Sequence, residues 1–171
     1  MKLIAATTII CCFSSFAIAA DKSCLSQKYD AYIDTSIIWY QDLAKITSSE
    51  YPELTEVSNW FLEGRKHHFE LNREAVHHYL DKDPSKIAID RPVERWLSLE
   101  QRDIKVLSAR NDKLGELAKI TYRDRQSVPH EKNYELRSAL ADLLSHPTKI
   151  QPALERYNNA IKKVEKIICK Q

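Results

Sequence analysis

Four of the six histidines fall in one stretch, Glu63-Gly64-Arg65-Lys66-His67-His68-Phe69-Glu70-Leu71-Asn72-Arg73-Glu74-Ala75-Val76-His77-His78. Imidazole nitrogen beside carboxylate oxygen is the donor set of zinc and copper sites. On a helix, His67, Glu74 and His78 lie along one flank beside Trp60, but His67 and Glu74 stand about 10 Å apart along the axis. They cannot share one ion. Glu74 reaches a common point with His77 at i+3 or with His78 at i+4, and the first spacing is the Glu-x-x-His step of di-metal carboxylate bundles. Such a bundle needs the step twice, yet His130 and His146 have Ser127 and Leu143 at the matching position. His67, Glu74, His77 and His78 are thus the candidate ligands for zinc or copper. The simpler expectation is no cofactor, with the rings at the edge of a buried stripe and their nitrogens held by Glu70, Glu74 or solvent.

Two other places could carry chemistry. His130-Glu131-Lys132-Asn133-Tyr134 begins like the zinc-protease helix motif, but Tyr134 stands where the second histidine is required. Just before it, in Tyr122-Arg123-Asp124-Arg125-Gln126-Ser127-Val128-Pro129-His130, arginines leaving one helix approach the start of another. Arg123, Arg125 and His130 are therefore candidates for holding a carboxylate or phosphate; the alternative is a plain turn with Ser127 as a helix cap. Glu100 falls in an apolar seam between Trp96, Leu97 and Ile104. A buried acid there could donate a proton, as in glycan hydrolysis, but that chemistry needs a second acid or an activated water. A structural pairing with a facing cation is the preferred expectation. Asn111 reads as a register-setting polar residue, and Trp39, Trp60 and Trp96 read as core, any exposed one marking an interface.

Helices must position these groups. From Leu25 to about Thr47 the apolar residues Tyr29, Tyr32, Ile33, Ile37, Tyr40, Leu43 and Ile46 share one helical face. A second seam runs Leu54, Val57, Phe61, Gly64, His68, Leu71, Ala75, His78 and stops before Pro84, since the residue preceding proline is pushed out of the helical region. After a connector over 85–91, Asp90 and Pro92 open a long third helix with the seam Val93, Leu97, Glu100, Ile104, Leu107, Asn111, Leu114, Ala118, Thr121. That rod would reach about Arg125 and measure roughly 50 Å. Ser127 to Pro129 opens a fourth helix, with Tyr134, Leu136, Leu140, Leu143 and Leu144. Thr148 caps a last one, with Ile150, Leu154, Tyr157, Ile161, Val164 and Ile168, closed by Cys169. No strand-period stretch interrupts this pattern. The fold expected is an all-α antiparallel bundle of four or five helices in one domain over 21–171.

Composition narrows the function. The 171 residues carry 26 Lys and Arg against 24 Asp and Glu, which gives no clustered positive field for nucleic acid. With only two glycines, Gly64 and Gly115, Gly-rich phosphate loops and nucleophile elbows lack material. Residues 1–20, MKLIAATTIICCFSSFAIAA, have the form of a secretory signal peptide, and no later segment is apolar enough to span a membrane. Export makes the two remaining cysteines, Cys24 and Cys169, a predicted disulfide joining the ends of the chain. The function expected is an exported, periplasmic or secreted, helical binding protein without catalytic activity, its partner a protein or cell-envelope component. Metal binding through the His/Glu cluster and glycan hydrolysis by Glu100 are the alternatives.

Overall fold

The computed structural model describes residues 21–169, and the predicted signal peptide lies outside them. Six α-helices make up the fold: α1 (Lys22–Glu50), α2 (Thr55–Lys82), α3 (Gln101–Leu107), α4 (Lys113–Gln126), α5 (Asn133–Ser145) and α6 (Gln151–Glu165). Strands are absent among the described residues.

Asp21 starts α1 by accepting the Cys24 amide at 3.0 Å, which satisfies one of the donors a helix start leaves free. A 3-10 turn at Pro52–Leu54 reverses the chain into α2. The two long helices run antiparallel, as the pairs Lys22 with Asp81, His77 with Asp30, and Arg73 with Asp34 require. Between them the predicted faces meet: Leu25, Tyr29 and Ile33 pack with Phe69, Val76 and Leu80 in the largest buried cluster. Trp96 completes it, stacked on Tyr29 at 5.9 Å, with its indole N–H donating to the Arg91 carbonyl at 2.8 Å.

The C-terminal helix returns along α1 in the opposite sense. Trp39 meets Tyr157, Arg156 pairs with Asp42, and Lys149 pairs with Glu50. At the far end of this contact the predicted disulfide joins Cys24 to Cys169 with a Cα separation of 5.6 Å. Beside it Lys28 donates to the Ile167 carbonyl at 2.8 Å, so a bond and a cation hold the same end of the chain.

The expected third rod is not one helix, and this raises the count above the four or five expected. Residues Val93–Arg95 form a 3-10 turn, the chain then runs without helix to Glu100, and two helices follow with a bend between them. Asp90 therefore caps no helix. Glu100 and Asp103 form a reciprocal capping box that starts α3. Asp112 then starts α4 by accepting the Gly115 amide at 3.0 Å, while the Arg110 guanidinium binds the same carboxylate. These contacts hold the Asp112 carboxyl at about 2, the Arg110 bond first and the Gly115 amide second. The bend also explains Gly115: a Cβ there would stand 2.2 Å from the Arg110 carbonyl oxygen. Only glycine lets the backbone approach so closely. Asn111 is exposed in this bend rather than buried in a seam.

Three more caps differ from expectation. Ser127 closes α4, its hydroxyl donating to the Asp124 carbonyl at 2.7 Å, and α5 begins later, after Lys132. Helix α6 begins after Ile150 with Pro152 in its first turn, not at Thr148. It ends at Glu165, so Cys169 lies beyond the helix and Ile168 is exposed. Tyr134 likewise points to solvent.

Candidate functional site

Helix α4 runs antiparallel to α2, set by one buried patch and a row of polar pairs. Leu71 and Ala75 pack with Leu114 and Ala118 at one end. Farther along, Thr121 donates to the His67 carbonyl at 3.2 Å, and His67 Nδ1–H donates to Asp124 at 2.7 Å. At the other end of α2, Leu54 and Val57 pack with Leu136 and Ala139 of α5. Between these two contacts the seam of α2 is uncovered. Its predicted members Phe61, Gly64 and His68 face a cavity of about 1040 Å³, bounded by α2, the end of α4, and α5. That size is at the upper end of the range for small-molecule sites.

One wall of the cavity is apolar. Leu136 is buried at its base, and Trp60 and Leu144 are 40% and 54% exposed along it. Trp60 is the one tryptophan of the three that stays substantially exposed; Trp39 is half-buried and Trp96 is buried. Gly64 interrupts the middle of a long helix, where glycine costs about 1 kcal/mol relative to alanine. No neighbour requires it: a Cβ at Gly64 would meet nothing within 4 Å. The missing side chain leaves space open to the cavity.

The cationic lining is unusual in its lack of partners. Arg65, Arg125 and Arg137 all line the cavity, and among the described residues none has a carboxylate within 4.0 Å. The two lining acids are engaged elsewhere, Asp124 by His67 and Glu63 by Lys66. Arg65 lies over the Tyr40 and Phe61 rings, 5.1 and 5.0 Å from their centroids. Arg125 donates through Nη2 to His68 Nδ1 at 3.3 Å. Burial first, then the Arg125 and Arg65 charges, push the His68 imidazole down to about 4, so it is neutral at physiological pH. Desolvation also lowers the Arg125 guanidinium from its ordinary value.

The Arg125 contact fixes the His68 tautomer. A guanidinium only donates, so Nδ1 accepts and Nε2 carries the proton. The Asn72 carboxamide stands 3.3 Å from Nε2, and Asn72 Oδ1 is buried with no other partner. In the arrangement present Asn72 Nδ2 faces Nε2, and the rotated carboxamide would give Nε2–H an acceptor. The result is a chain from Asn72 through His68 to Arg125 that holds the guanidinium at the cavity.

The sequence candidates are distributed differently from their grouping. Among the four proposed metal ligands, His67 is bound to Asp124, His77 Nε2–H donates to Asp30 at 2.8 Å, and Glu74 pairs with Lys113 at 2.7 Å. The His78 ring packs edge-on against Tyr79 at 5.4 Å. The expected carboxylate partners are thus replaced by acids of α1 and α4, because Arg73 takes Glu70 and Lys113 takes Glu74. No group of three His, Cys, Asp or Glu able to hold a metal ion occurs among the described residues.

Glu100 is a solvated cap, paired with Arg102 at 3.1 Å and 65% exposed, so it lacks the burial that an acid catalyst of the kind expected would need. Its seam placement fails because the backbone there is extended. Of the anion trio, Arg123 and Arg125 are both exposed, and only Arg125 lines the cavity. His130 packs on Trp60, and its Nδ1 accepts the Lys132 amide at 3.1 Å. The helix start that was to join these three is not there, since α5 begins at Asn133. Arg65 and Arg137 were missed as site residues. The available signal was Gly64, a helix-interior glycine beside Arg65 in an otherwise bulky seam.

Comparison with family models, curated proteins and solved structures finds no match for this chain. Function therefore has to be argued from the cavity.

Proposed function

We propose that this chain is an exported, non-catalytic binding protein that holds an acidic component of the cell envelope in the cavity between α2, α4 and α5. The observation that carries the reading is the set of three arginines around one cavity without a carboxylate partner. All three guanidinium groups are solvent-accessible, so an anionic ligand can reach them, and charge-assisted hydrogen bonds are the stronger class. Small-molecule sites set polar groups against apolar surface, and here Trp60, Phe61, Leu136, Leu140 and Leu144 stand among three arginines and two histidines. Export is supported by the signal-like residues 1–20 and the disulfide, a bond that persists in oxidising compartments. No described helix is long and apolar enough to cross a membrane.

The test uses anilinonaphthalene sulfonate, an anionic apolar fluorophore. The expected result is saturable binding near one per chain that is lost in Gly64→Leu, whose side chain enters the open space, and weakened in Arg125→Gln. Binding of equal strength in wild type and Gly64→Leu would place the probe elsewhere and refute the site. Export is tested by intact mass: protein recovered outside the cytoplasm should begin at Ala20 or Asp21, and an unprocessed chain confined to the cytoplasm would contradict it.

A further inference from the structure

We infer that the ligand of this cavity is a single-chain fatty acid, its carboxylate taken by Arg125 and its hydrocarbon laid along the wall from Trp60 and Leu144 to Leu136. The inference rests on the reading of the cavity as the binding site and names the ligand for it.

The first argument is charge. The lining sets three guanidinium groups against two carboxylates, both of which already have partners. The three guanidinium groups without a carboxylate partner favour an anionic head group, and lysophosphatidylglycerol in the experiment below separates a carboxylate from a phosphate. The second is geometry. Among the described residues Arg125 makes one side-chain hydrogen bond, through Nη2 to His68. The remaining N–H groups are free for the parallel two-bond contact that a planar carboxylate accepts. His68, itself in the cavity lining, and Asn72 are the positioning residues, since they fix where that fork stands.

The third argument is the apolar wall. Trp60 and Leu144 line the cavity at 40% and 54% exposure and Leu136 at 1%, so the apolar lining includes both solvent-accessible and buried surface. Gly64 keeps that surface open at the one seam position where a side chain would fit. A compact acid such as acetate or citrate would leave this surface wet, whereas an acyl chain would cover it, at about 0.8 kcal/mol per buried methylene.

The experiment is equilibrium dialysis of the mature, disulfide-bonded protein with radiolabelled palmitate, with 1-hexadecanol and lysophosphatidylglycerol as competitors. One saturable palmitate site is expected, weakened at least tenfold in Arg125→Gln and lost in Gly64→Leu. Hexadecanol should compete poorly because it lacks the charge. His68→Leu should weaken binding about tenfold, and His68→Gln, which restores an acceptor toward Arg125, should recover most of it; equal binding in both would overturn the positioning role. Stronger binding of lysophosphatidylglycerol than of palmitate would overturn the fatty-acid assignment. So would absence of palmitate binding in a protein whose anilinonaphthalene sulfonate binding is still abolished by Gly64→Leu, a result that keeps the site and rejects this ligand. Absence of saturable binding of both probes by the wild-type protein would reject the site itself.

Discussion

Acidification should reach His68 before it reaches the carboxylates that stabilise the fold. The imidazole lies near 6.5 in an unfolded chain and at about 4 in the native protein, with burial the main cause and Arg125 and Arg65 adding to it. Because the folded value is the lower one, the unfolded chain binds more protons between these limits. Stability therefore falls as pH drops through the window from 6.5 to about 4 and is unaffected by this group above it. At about 1.4 kcal/mol per pH unit, that gap corresponds to about 3 kcal/mol, an upper value because His68 keeps some solvent contact. The carboxylates held low by partners, Asp81, Asp112 and Asp142, give up their contribution only below their ordinary 3.8, so the two windows separate. The assay is urea unfolding of wild type and His68→Gln at pH 7, 5.5 and 4.5. Every other side chain is common to both proteins, so the difference isolates position 68. Wild type should lose about 1 to 3 kcal/mol relative to the variant over this range. Parallel stability curves, or a wild type that gains on the variant as pH falls, would refute the buried neutral imidazole. Because a charged His68 would face Arg125 at 3.3 Å, ligand affinity should decline in the same window.

Three other expectations concern the frame around the cavity. Replacing Cys24 and Cys169 by serine opens a bridge across 145 residues and should cost about 5 kcal/mol on the chain-entropy argument, measured by urea unfolding; a change under about 1 kcal/mol would contradict a stabilising link. Gly64→Ala should raise stability by up to about 1 kcal/mol, because the new methyl meets no neighbour, while lowering affinity for an acidic probe; reduced stability would mean that the space is already occupied. Gly115→Ala should do the opposite, costing about 1 to 3 kcal/mol, since its Cβ collides with the Arg110 carbonyl, and unchanged thermal melting would argue against the bend at Asp112.

The long helices and the bridge were legible because their signals are local. Tyr29, Ile33 and Leu43 keep helical spacing on α1 and are all buried, and the two cysteines outside the signal-like residues 1–20 have one intramolecular pairing. The third rod misled for the opposite reason: its apolar spacing continues through Glu100 and Asn111, but caps are made by single polar side chains against the backbone. Glu100-x-x-Asp103 and Asp112-x-x-Gly115 carry that information, and a seam count passes over them. Ser127 illustrates the same limit, since a hydroxyl near a helix boundary serves either side, and here it closes α4. The cavity was legible only in fragments. Arg125 stood out by its turn, whereas Gly64 was read only as one more seam position, and Arg65, Arg125 and Arg137 come from three helices. Which of these meet depends on α4 and α5 folding back on α2, a long-range pairing that one helix's periodicity does not encode.

The most direct measurement is nuclear magnetic resonance of the arginine Nε–H groups during titration with palmitate. Resonances of Arg65, Arg125 and Arg137 should shift together and saturate, with the Gly64 amide, while Arg102 and Arg123 outside the cavity stay in place. Shifts spread over α1 and α6, or none at the three cavity arginines, would contradict the account.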